Sequence, residues 1–399
     1  MKWEKVKLGN VTDSCLGKML DQNKNKGDYQ PYLANVNVRW GEFDLENLPL
    51  MKFEESEQER YELKYGDLVI CEGGEPGRCA IWKEQIPNMK IQKALHRVRV
   101  HDCLDYRYLF YWFLLAGKTG ELDQYFTGAT IKHMPGQKLK EVVIDKPPLE
   151  IQHRIADILS AYDDLIENNQ KQIKLLEEAA QRLYKEWFVD LRFPGRENTK
   201  IVDGVPEGWN WCKLEDAIQL DPKVTLTKER MKQFIPMSAL STSSMVLDES
   251  QFTETTSNSG SKFQNGDTLL ARITPCLENG KTAYVSGLKS DEGAVGSTEY
   301  IVMRAKTINS YMVYLLARTD DFRQSAINSM SGSDGRQRVK SDKLKMLDYL
   351  HPTSELVEKF ENVEEPIFEK IYRLSKQMQQ AKQARDLLLP KLMSGEVEV

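Results

Sequence analysis

Residues 149–183 read LEIQHRIADILSAYDDLIENNQKQIKLLEEAAQRL, a stretch with helical periodicity and almost no helix-breaking residues. Its larger side chains recur mainly at alternating spacings of three and four residues, which is typical of the contact seam of a coiled coil. The predicted seam comprises Ile151, Ile155, Ile158, Tyr162, Leu165, Asn169, Leu176 and Leu183. The stretch therefore predicts one helix of about 40 residues, roughly 60 Å long.

The C-terminal part of the chain contains a second stretch of the same kind. Its apolar side chains again follow the coiled-coil spacing, with one extra step of four residues near Ile371. This second predicted seam comprises Leu356, Phe360, Val363, Ile367, Ile371, Leu374, Met378, Ala381, Leu388 and Leu392. An offset of about 205 residues superposes the two seams, and helices of this length are too long for one compact core. We therefore expect the two helices to pack on each other.

The repeat extends beyond the helices. Lys7-Leu8 recurs as Lys213-Leu214, and Gly66-Asp67 recurs as Gly266-Asp267. Thr127-Gly128-Ala129 corresponds to Ser331-Gly332-Ser333, and Pro147 corresponds to Pro352. The order is kept while the offset changes by only a few residues, as loop insertions and deletions would produce. The chain is therefore predicted to be an internal duplication.

Each half begins with short apolar runs broken by Gly, Pro and Asn, which favours strands and turns. The short connection between the first helix and the second half holds prolines and glycines, so the second helix is predicted to run back antiparallel to the first. The predicted class is α+β, with two globular domains, two long antiparallel coiled-coil helices and an approximate twofold axis. The predicted segments are a first recognition domain at 1–146, a central helix at 147–192, a linker at 193–208, a second recognition domain at 209–350 and a distal helix at 351–399.

Composition excludes several classes of protein. The 399 residues are 40% hydrophobic and 29% charged, and no apolar run approaches the roughly 20 residues that span a bilayer. The N-terminal residues lack a secretory signal, so we expect a soluble, cytoplasmic protein without a membrane partner. The six cysteines and five histidines are dispersed, which gives no support for a metal site or a His-based catalytic centre.

A net charge of -5 is unexpected for a DNA-binding protein, but the excess acid lies in the two predicted helices and the rest is neutral. Two similar domains at a fixed separation suit a ligand with a fixed period. Half-sites on duplex DNA lie about 34 Å apart per helical turn, and divergence of the two halves would let each read a different sequence. The predicted ligand is double-stranded DNA with an asymmetric, two-part site.

Three stretches resemble the specificity subunits of type I restriction-modification enzymes. They are Pro147–Ile155, Trp187–Asp190 and Leu389–Glu396, and the Gly-Asp motifs at Gly66 and Gly266 resemble those of the same family's target recognition domains. The resemblance covers essentially the whole chain, and the Pro-Pro-Leu segment is its most specific part. The stretch 351–356 departs from it, because it lacks the Glu-x-Gln character of the first copy.

The resemblance implies a non-catalytic subunit that holds two methyltransferase subunits and two restriction and translocase subunits. No cofactor is expected in this chain, since S-adenosylmethionine, ATP and Mg²⁺ would be bound by those partners. The methyltransferase partner would flip its target adenine out of the duplex.

Polar and basic loop residues are the candidate DNA contacts, because Arg, Lys, His and Thr can hydrogen-bond phosphates or base edges. Each could instead belong to an ordinary turn or a solvated surface. In the first half the candidates are Arg78, Lys90, Lys93, His96, Thr127, Thr130, Lys132 and His133. In the second half they are Arg272, Thr274, Lys281, Ser333, Arg336, Gln337, Arg338 and Lys340, and those from Ser333 onward form the densest basic and amide cluster in the chain.

Two alternatives belong to other classes of protein. A self-contained DNA methyltransferase would need an Asn/Asp-Pro-Pro-aromatic motif, whereas Lys146-Pro147-Pro148-Leu149 lacks the polar and aromatic members. A nuclease would need more than the lone E-x-K at Glu62-Leu63-Lys64. A coiled-coil scaffold that never touches DNA would not require two duplicated globular halves.

Overall fold

The computed structural model describes residues 3–21, 25–333 and 335–399, and its mixture of helices and sheets confirms the predicted α+β class. The chain forms two compact units. Unit 1 comprises residues 1–165 and 380–399, and unit 2 comprises residues 166–379. Both long helices are therefore divided between the units, whereas the sequence analysis had set each helix apart as a segment of its own.

Unit 1 is built from short strands and, in its described residues, three α-helices besides its parts of the two long helices. Its strands are β1 (Glu4–Lys7), β2 (Thr12–Leu16), β3 (Asp28–Leu33), β4 (Leu50–Phe53), β5 (Leu68–Cys71), β6 (Cys79–Ile81), β7 (Lys90–Ile91), β8 (Leu95–Val100) and β9 (Val143–Lys146). Its helices are α1 (Gln58–Tyr61), α2 (Tyr106–Thr119) and α3 (Gly136–Glu141). The first long helix, α4, spans Leu149–Tyr184 and begins in this unit.

The core of unit 1 lies on both faces of the sheet β2-β8-β5-β6. Successive side chains of a strand point to opposite faces, and β5 shows this directly. Leu68 and Ile70 pack in the cluster that contains α2, while Val69 and Cys71 pack in a second cluster. A smaller sheet, β4-β3-β7, and the pair β1-β9 complete the unit.

Unit 2 contains the following strands and helices in chain order. The strands are β10 (Ile201–Val202), β11 (Val205–Pro206), β12 (Asn210–Lys213), β13 (Ile218–Leu220), β14 (Lys232–Ile235), β15 (Thr253–Thr255), β16 (Ser261–Phe263), β17 (Thr268–Ala271), β18 (Thr282–Tyr284), β19 (Ala294–Gly296), β20 (Tyr300–Ala305) and β21 (Asp348–His351). The helices are α5 (Leu214–Ala217), α6 (Ser310–Arg318), α7 (Asp320–Asn328), α8 (Ser341–Lys345) and the second long helix, α9 (Ser354–Ser394), whose last residues belong to unit 1.

The strand order of unit 2 confirms the internal duplication. Its main sheet, β13-β20-β17-β18, has the same connectivity as β2-β8-β5-β6, and the pair β12-β21 corresponds to β1-β9. The Gly-Asp motifs occupy equivalent turns, because Gly66 and Gly266 have φ of 86° and 88°, a region that favours glycine. The aspartate after each glycine is buried, and its two carboxylate oxygens accept hydrogen bonds from Nε and Nη2 of an arginine on the neighbouring strand. This arginine is Arg99 in unit 1 and Arg304 in unit 2.

The long helices pair within each unit. In unit 2 the side-chain amides of Asn169 and Gln377 lie 3.2 Å apart, and the Tyr184 ring lies 6.0 Å from the Phe360 ring. Residue numbers rise along α4 while they fall along α9, so this pairing is antiparallel, as predicted. In unit 1, Asp163 of α4 accepts a hydrogen bond from Arg385 of α9.

The buried stripe differs from the predicted seam at two positions. Ile158 is 36% exposed whereas Leu159 is fully buried, and Val363 is 42% exposed whereas Glu364 is fully buried. The seam prediction is wrong for Ile158 and Val363, because each helix packs on its globular unit as well as on the other helix, which rotates and widens the buried stripe. The other predicted seam residues are buried or half-buried: Ile151, Ile155, Tyr162, Leu165, Asn169, Leu176, Leu183, Leu356, Phe360, Ile367, Ile371, Leu374, Met378, Ala381, Leu388 and Leu392.

The segment 193–208, predicted as a linker, contains the small hairpin of β10 and β11. Phe193 at its start is buried with Trp209 in the core of unit 2, their ring centroids 5.2 Å apart. Within the three described ranges, no helix is both long and apolar enough to cross a lipid bilayer.

Candidate nucleic-acid interface

Each unit brings together two loops that carry many of the predicted DNA contacts. In unit 1 the turn 72–78 lies beside residues 127–133, and these two segments are called loop pair 1. In unit 2, residues 272–281 lie beside residues 331–333 and 335–340, which together are called loop pair 2. Position 334, between the last two segments, lies outside the described residues.

The two loop pairs share a pattern of backbone hydrogen bonds. In loop pair 1 the N–H groups of Thr127 and His133 donate to each other's carbonyls at 2.7 and 2.8 Å, and Met134 N donates to Glu72 O. In loop pair 2, Ser331 and Arg338 exchange hydrogen bonds at 3.0 Å, and Val339 N donates to Arg272 O. His133 and Arg338 therefore occupy equivalent positions on a duplicated scaffold.

Loop pair 1 is held closely together. A Cβ on Gly73 would lie 2.7 Å from His133 Nδ1, so the glycine leaves room for the His133 ring to lie against the turn. Arg78 does not point freely into solvent, because its guanidinium donates to Glu75 Oε2 at 3.0 Å and to Asn35 Oδ1 at 2.9 Å. We assign Arg78 a bracing role in the turn.

The exposed members of loop pair 1 surround an open cleft of about 610 Å³. Thr130 and Lys132 line it with Phe126, and the Lys132 ammonium lies 3.6 Å from Asp123 Oδ2 and 5.6 Å from the Phe126 ring centre. Thr127 and His133 are also exposed. These four side chains can reach a ligand laid across the loops.

Two of the DNA contacts predicted for unit 1 are wrong, because both side chains are buried. Lys90 is fully buried and donates to Glu62 Oε2 at 2.7 Å, which also gives the glutamate of the E-x-K motif a structural partner. His96 is 1% exposed, its Nε2 lies 3.0 Å from Met134 O, and burial lowers its pKa, which favours the neutral ring. Neither side chain can meet DNA here. Lys93 is exposed but lies outside loop pair 1.

Loop pair 2 contains three predicted contacts that are already engaged. Arg272 donates from Nε and Nη2 to Val339 O at 3.0 and 2.7 Å, which ties the two segments together. Lys281 Nζ donates to Met237 O at 3.0 Å, and Thr274 Oγ1 donates to Glu278 Oε1 at 2.8 Å. These three side chains hold the loops in place, because their donors already bind groups of the protein.

The remaining members of loop pair 2 supply its accessible polar groups. Ser333, Arg336 and Lys340 are exposed and Gln337 is half-buried. Arg336 and Lys340 make no side-chain hydrogen bond or ion pair with the residues that the structure describes. Free cations can meet phosphates, whereas an amide can hydrogen-bond base edges.

Arg338 is exposed but ion-paired. Its guanidinium donates to both oxygens of Glu299, with Nε–Oε1, Nε–Oε2 and Nη2–Oε1 distances of 3.0, 2.9 and 2.7 Å. The hydrogen bond from Arg338 lowers the pKa of Glu299, and the bond to Glu299 raises the pKa of Arg338. Glu299 and Asn35 could not be recognised from the sequence, since both lie far along the chain from the arginines that they hold.

Among the described residues, no group of three or more His, Cys, Asp or Glu side chains is arranged to hold a metal ion. What the loop pairs offer is hydrogen-bond donors, amides and cations on a braced backbone. Such groups can bind phosphates and base edges.

Comparison with known proteins agrees with this arrangement. The profile of the type I restriction modification DNA specificity domain matches residues 1–178. The type I restriction enzyme MjaIX specificity subunit of Methanocaldococcus jannaschii is 29% identical over 84% of this chain and 78% of that protein. The EcoAI specificity subunit of Escherichia coli is 35% identical over 34% of this chain, a match that spans only 24% of that protein.

A solved structure has the same fold. The type I restriction-modification S subunit from M. genitalium aligns with a TM-score of 0.59 over 98% of this chain and 96% of that chain, at 15% identity. The matched domain profile and these relatives agree: the chain is similar to type I restriction enzyme specificity subunits, and the DNA specificity domain profile covers its first 178 residues.

Proposed function

We propose that this chain reads a two-part sequence on double-stranded DNA, with loop pair 1 recognising one part and loop pair 2 the other. The observation that carries the proposal is the duplicated scaffold with different side chains. Thr127 and His133 in unit 1 are replaced by Ser331 and Arg338 in unit 2, on the same hydrogen-bonded backbone. A conserved frame with altered donors is suited to reading two unlike sequences.

The proposal includes the partners that the similarity to type I specificity subunits implies. Two methyltransferase subunits would bind this chain, and two restriction and translocase subunits would join them. S-adenosylmethionine, ATP and Mg²⁺ would be used by those subunits, so this chain would be non-catalytic. A complex of this kind acts on cellular DNA, which places it in the cytoplasm.

The first test is to co-express the chain with its methyltransferase partner and to map methylated adenines across the host genome. We expect one motif, in which two short defined parts flank several unspecified bases. A stable complex that leaves all adenines unmethylated, and that does not bind duplex DNA, would refute the proposal and favour a coiled-coil scaffold.

A further inference from the structure

The Glu299–Arg338 pair leaves one edge of the arginine available. A guanidinium has five N–H donors in a planar fork. Glu299 takes the edge formed by Nε and Nη2. The opposite edge, formed by Nη1 and the second N–H of Nη2, has only a long 3.5 Å contact, from Nη1 to Arg336 O, among the described residues. The side chain is 45% exposed, so this edge is within reach of a ligand.

Both ends of Arg338 are fixed. Its backbone exchanges two hydrogen bonds with Ser331, and its guanidinium is held by the carboxylate. Glu299 itself is anchored, because its carbonyl accepts a hydrogen bond from Arg272 N at 3.0 Å. An arginine restrained in this way loses little conformational entropy when it binds, which favours a geometrically demanding partner.

The pair occurs in one unit only. In unit 1 the hydrogen bond from Glu72 N to Ala94 O, 2.8 Å long, corresponds to the bond from Arg272 N to Glu299 O. Ala94 therefore stands where unit 2 has Glu299, and His133 stands where unit 2 has Arg338. A charged pair added to one copy of a shared frame is the kind of difference that would separate the two recognised sequences.

Charge favours a base over a phosphate as the ligand. A carboxylate bound to Arg338 offsets the positive charge that would attract the DNA backbone. It does not remove the donors of the free edge, and two parallel N–H groups match the O6 and N7 acceptors of guanine in the major groove. Nearby Arg336 and Lys340, which pair with no carboxylate among the described residues, are better suited to phosphates.

We propose that Arg338 is a specificity-determining residue that reads a guanine in the DNA bound by unit 2, and that Glu299 is the positioning residue that orients it. This inference rests on the proposed function. It deepens that function by assigning one base type to one side chain.

The test uses the full chain with its methyltransferase subunit and compares the methylated motifs of wild type, Arg338→Lys, Glu299→Gln and Arg336→Ala. With Arg338→Lys, one position of the motif that requires G·C in wild type should also accept other base pairs. Discrimination at that position should fall about 10- to 100-fold. Glu299→Gln should relax the same position. Arg336→Ala should weaken binding to all sequences and reduce the salt dependence without changing the motif.

The outcomes separate the two proposals. Absence of any two-part motif for the wild type would defeat the proposed function. A normal wild-type motif that Arg338→Lys leaves unchanged at every position would overturn the inference alone. If Glu299→Gln only tightens binding to every sequence, Glu299 merely screens charge and its positioning role is wrong. An intact second part of the motif in each variant, together with an unchanged unfolding temperature, shows that the variant has folded.

Discussion

The carboxylates of Asp67 and Asp267 each link a turn to a neighbouring strand through hydrogen bonds. Asp267 accepts the backbone N–H of Gln264 at 2.8 Å and the Nε and Nη2 groups of Arg304, both at 2.6 Å, and it is 1% exposed. Removing the charge of one partner leaves the other partly buried without compensation. The Gly-Asp motif is therefore explained by folding and not by contact with DNA.

We expect Asp267→Asn to lower the free energy of unfolding by about 3 kcal/mol, because it breaks a buried bidentate ion pair. Urea unfolding of the full chain measures this. The matched control is Asp342→Asn, which breaks an exposed ion pair to Lys345 on α8 and should leave the unfolding curve unchanged. Equal unfolding midpoints for the two variants would contradict a structural role for Asp267.

Glu364 is a buried carboxyl on α9 whose two oxygens have no hydrogen-bond partner among the described residues. Burial raises its pKa from 4.5 to about 7. The folded chain therefore retains a proton that the unfolded chain has released between pH 4.5 and 7. In this window the free energy of unfolding falls as pH rises, by a total of about 3 kcal/mol for a shift of this size.

Glu364→Gln should remove this pH dependence, since glutamine does not titrate. Compared with wild type, the variant should be more stable at pH 8 and gain nothing at pH 5. Denaturant unfolding at the two values of pH gives the comparison, with Glu358→Gln at an exposed position of the same helix as control. A stability difference that is the same at pH 5 and pH 8 would show that Glu364 does not titrate in this window.

Ile158 and Leu159 show what periodicity can and cannot predict about a long helix. The spacing of apolar residues predicted two helices close to the observed bounds of α4 and α9, because few breakers interrupt either stretch. It placed Ile158 in the seam, whereas Leu159 is the fully buried residue. Periodicity does not reveal that a third surface, the globular unit, packs beside the seam.

The unequal burial of Ile158 and Leu159 on α4 can be tested by truncating each side chain. Leu159→Ala should destabilise the chain by about 3 kcal/mol, because it removes a buried side chain and leaves a cavity. Ile158→Ala, one residue away in the same helix, should cost less, about 1 to 2 kcal/mol, since 36% of its surface is already in water. Chemical unfolding of both variants measures the two losses in the free energy of unfolding. Similar losses would mean that the seam predicted from spacing was right.

Sequence also limited what could be predicted about the two loop pairs. Their residues were found from composition and from the repeat, but their pairing depends on hydrogen bonds between segments about 60 to 70 residues apart, such as Glu72 with Met134 and Arg272 with Val339. Lys90 and His96 were misassigned because alternation along a strand does not tell which face is covered. The tertiary structure covers both faces there.

At the level of the whole molecule, the two loop pairs should act independently on binding. Each is braced by residues of its own unit, Asn35 and Glu75 in unit 1 and Glu299 and Met237 in unit 2. Substitutions that share no partners usually have additive free energies. Changing one loop pair should therefore leave recognition by the other unaltered.

We expect Lys132→Ala and Arg336→Ala each to weaken DNA binding and to reduce the salt dependence by about one phosphate contact. The double variant should show the sum of the two losses in binding free energy. The controls, Lys138→Ala and Lys345→Ala, each remove a half-buried lysine paired with an acid three residues away in a short helix, and should bind normally. Titration with a duplex carrying the methylated motif, at several salt concentrations, measures the binding free energy and the salt dependence of each variant. A double variant no weaker than Arg336→Ala alone would mean that Lys132 makes no separate contact, and that only one of the two loop pairs binds DNA.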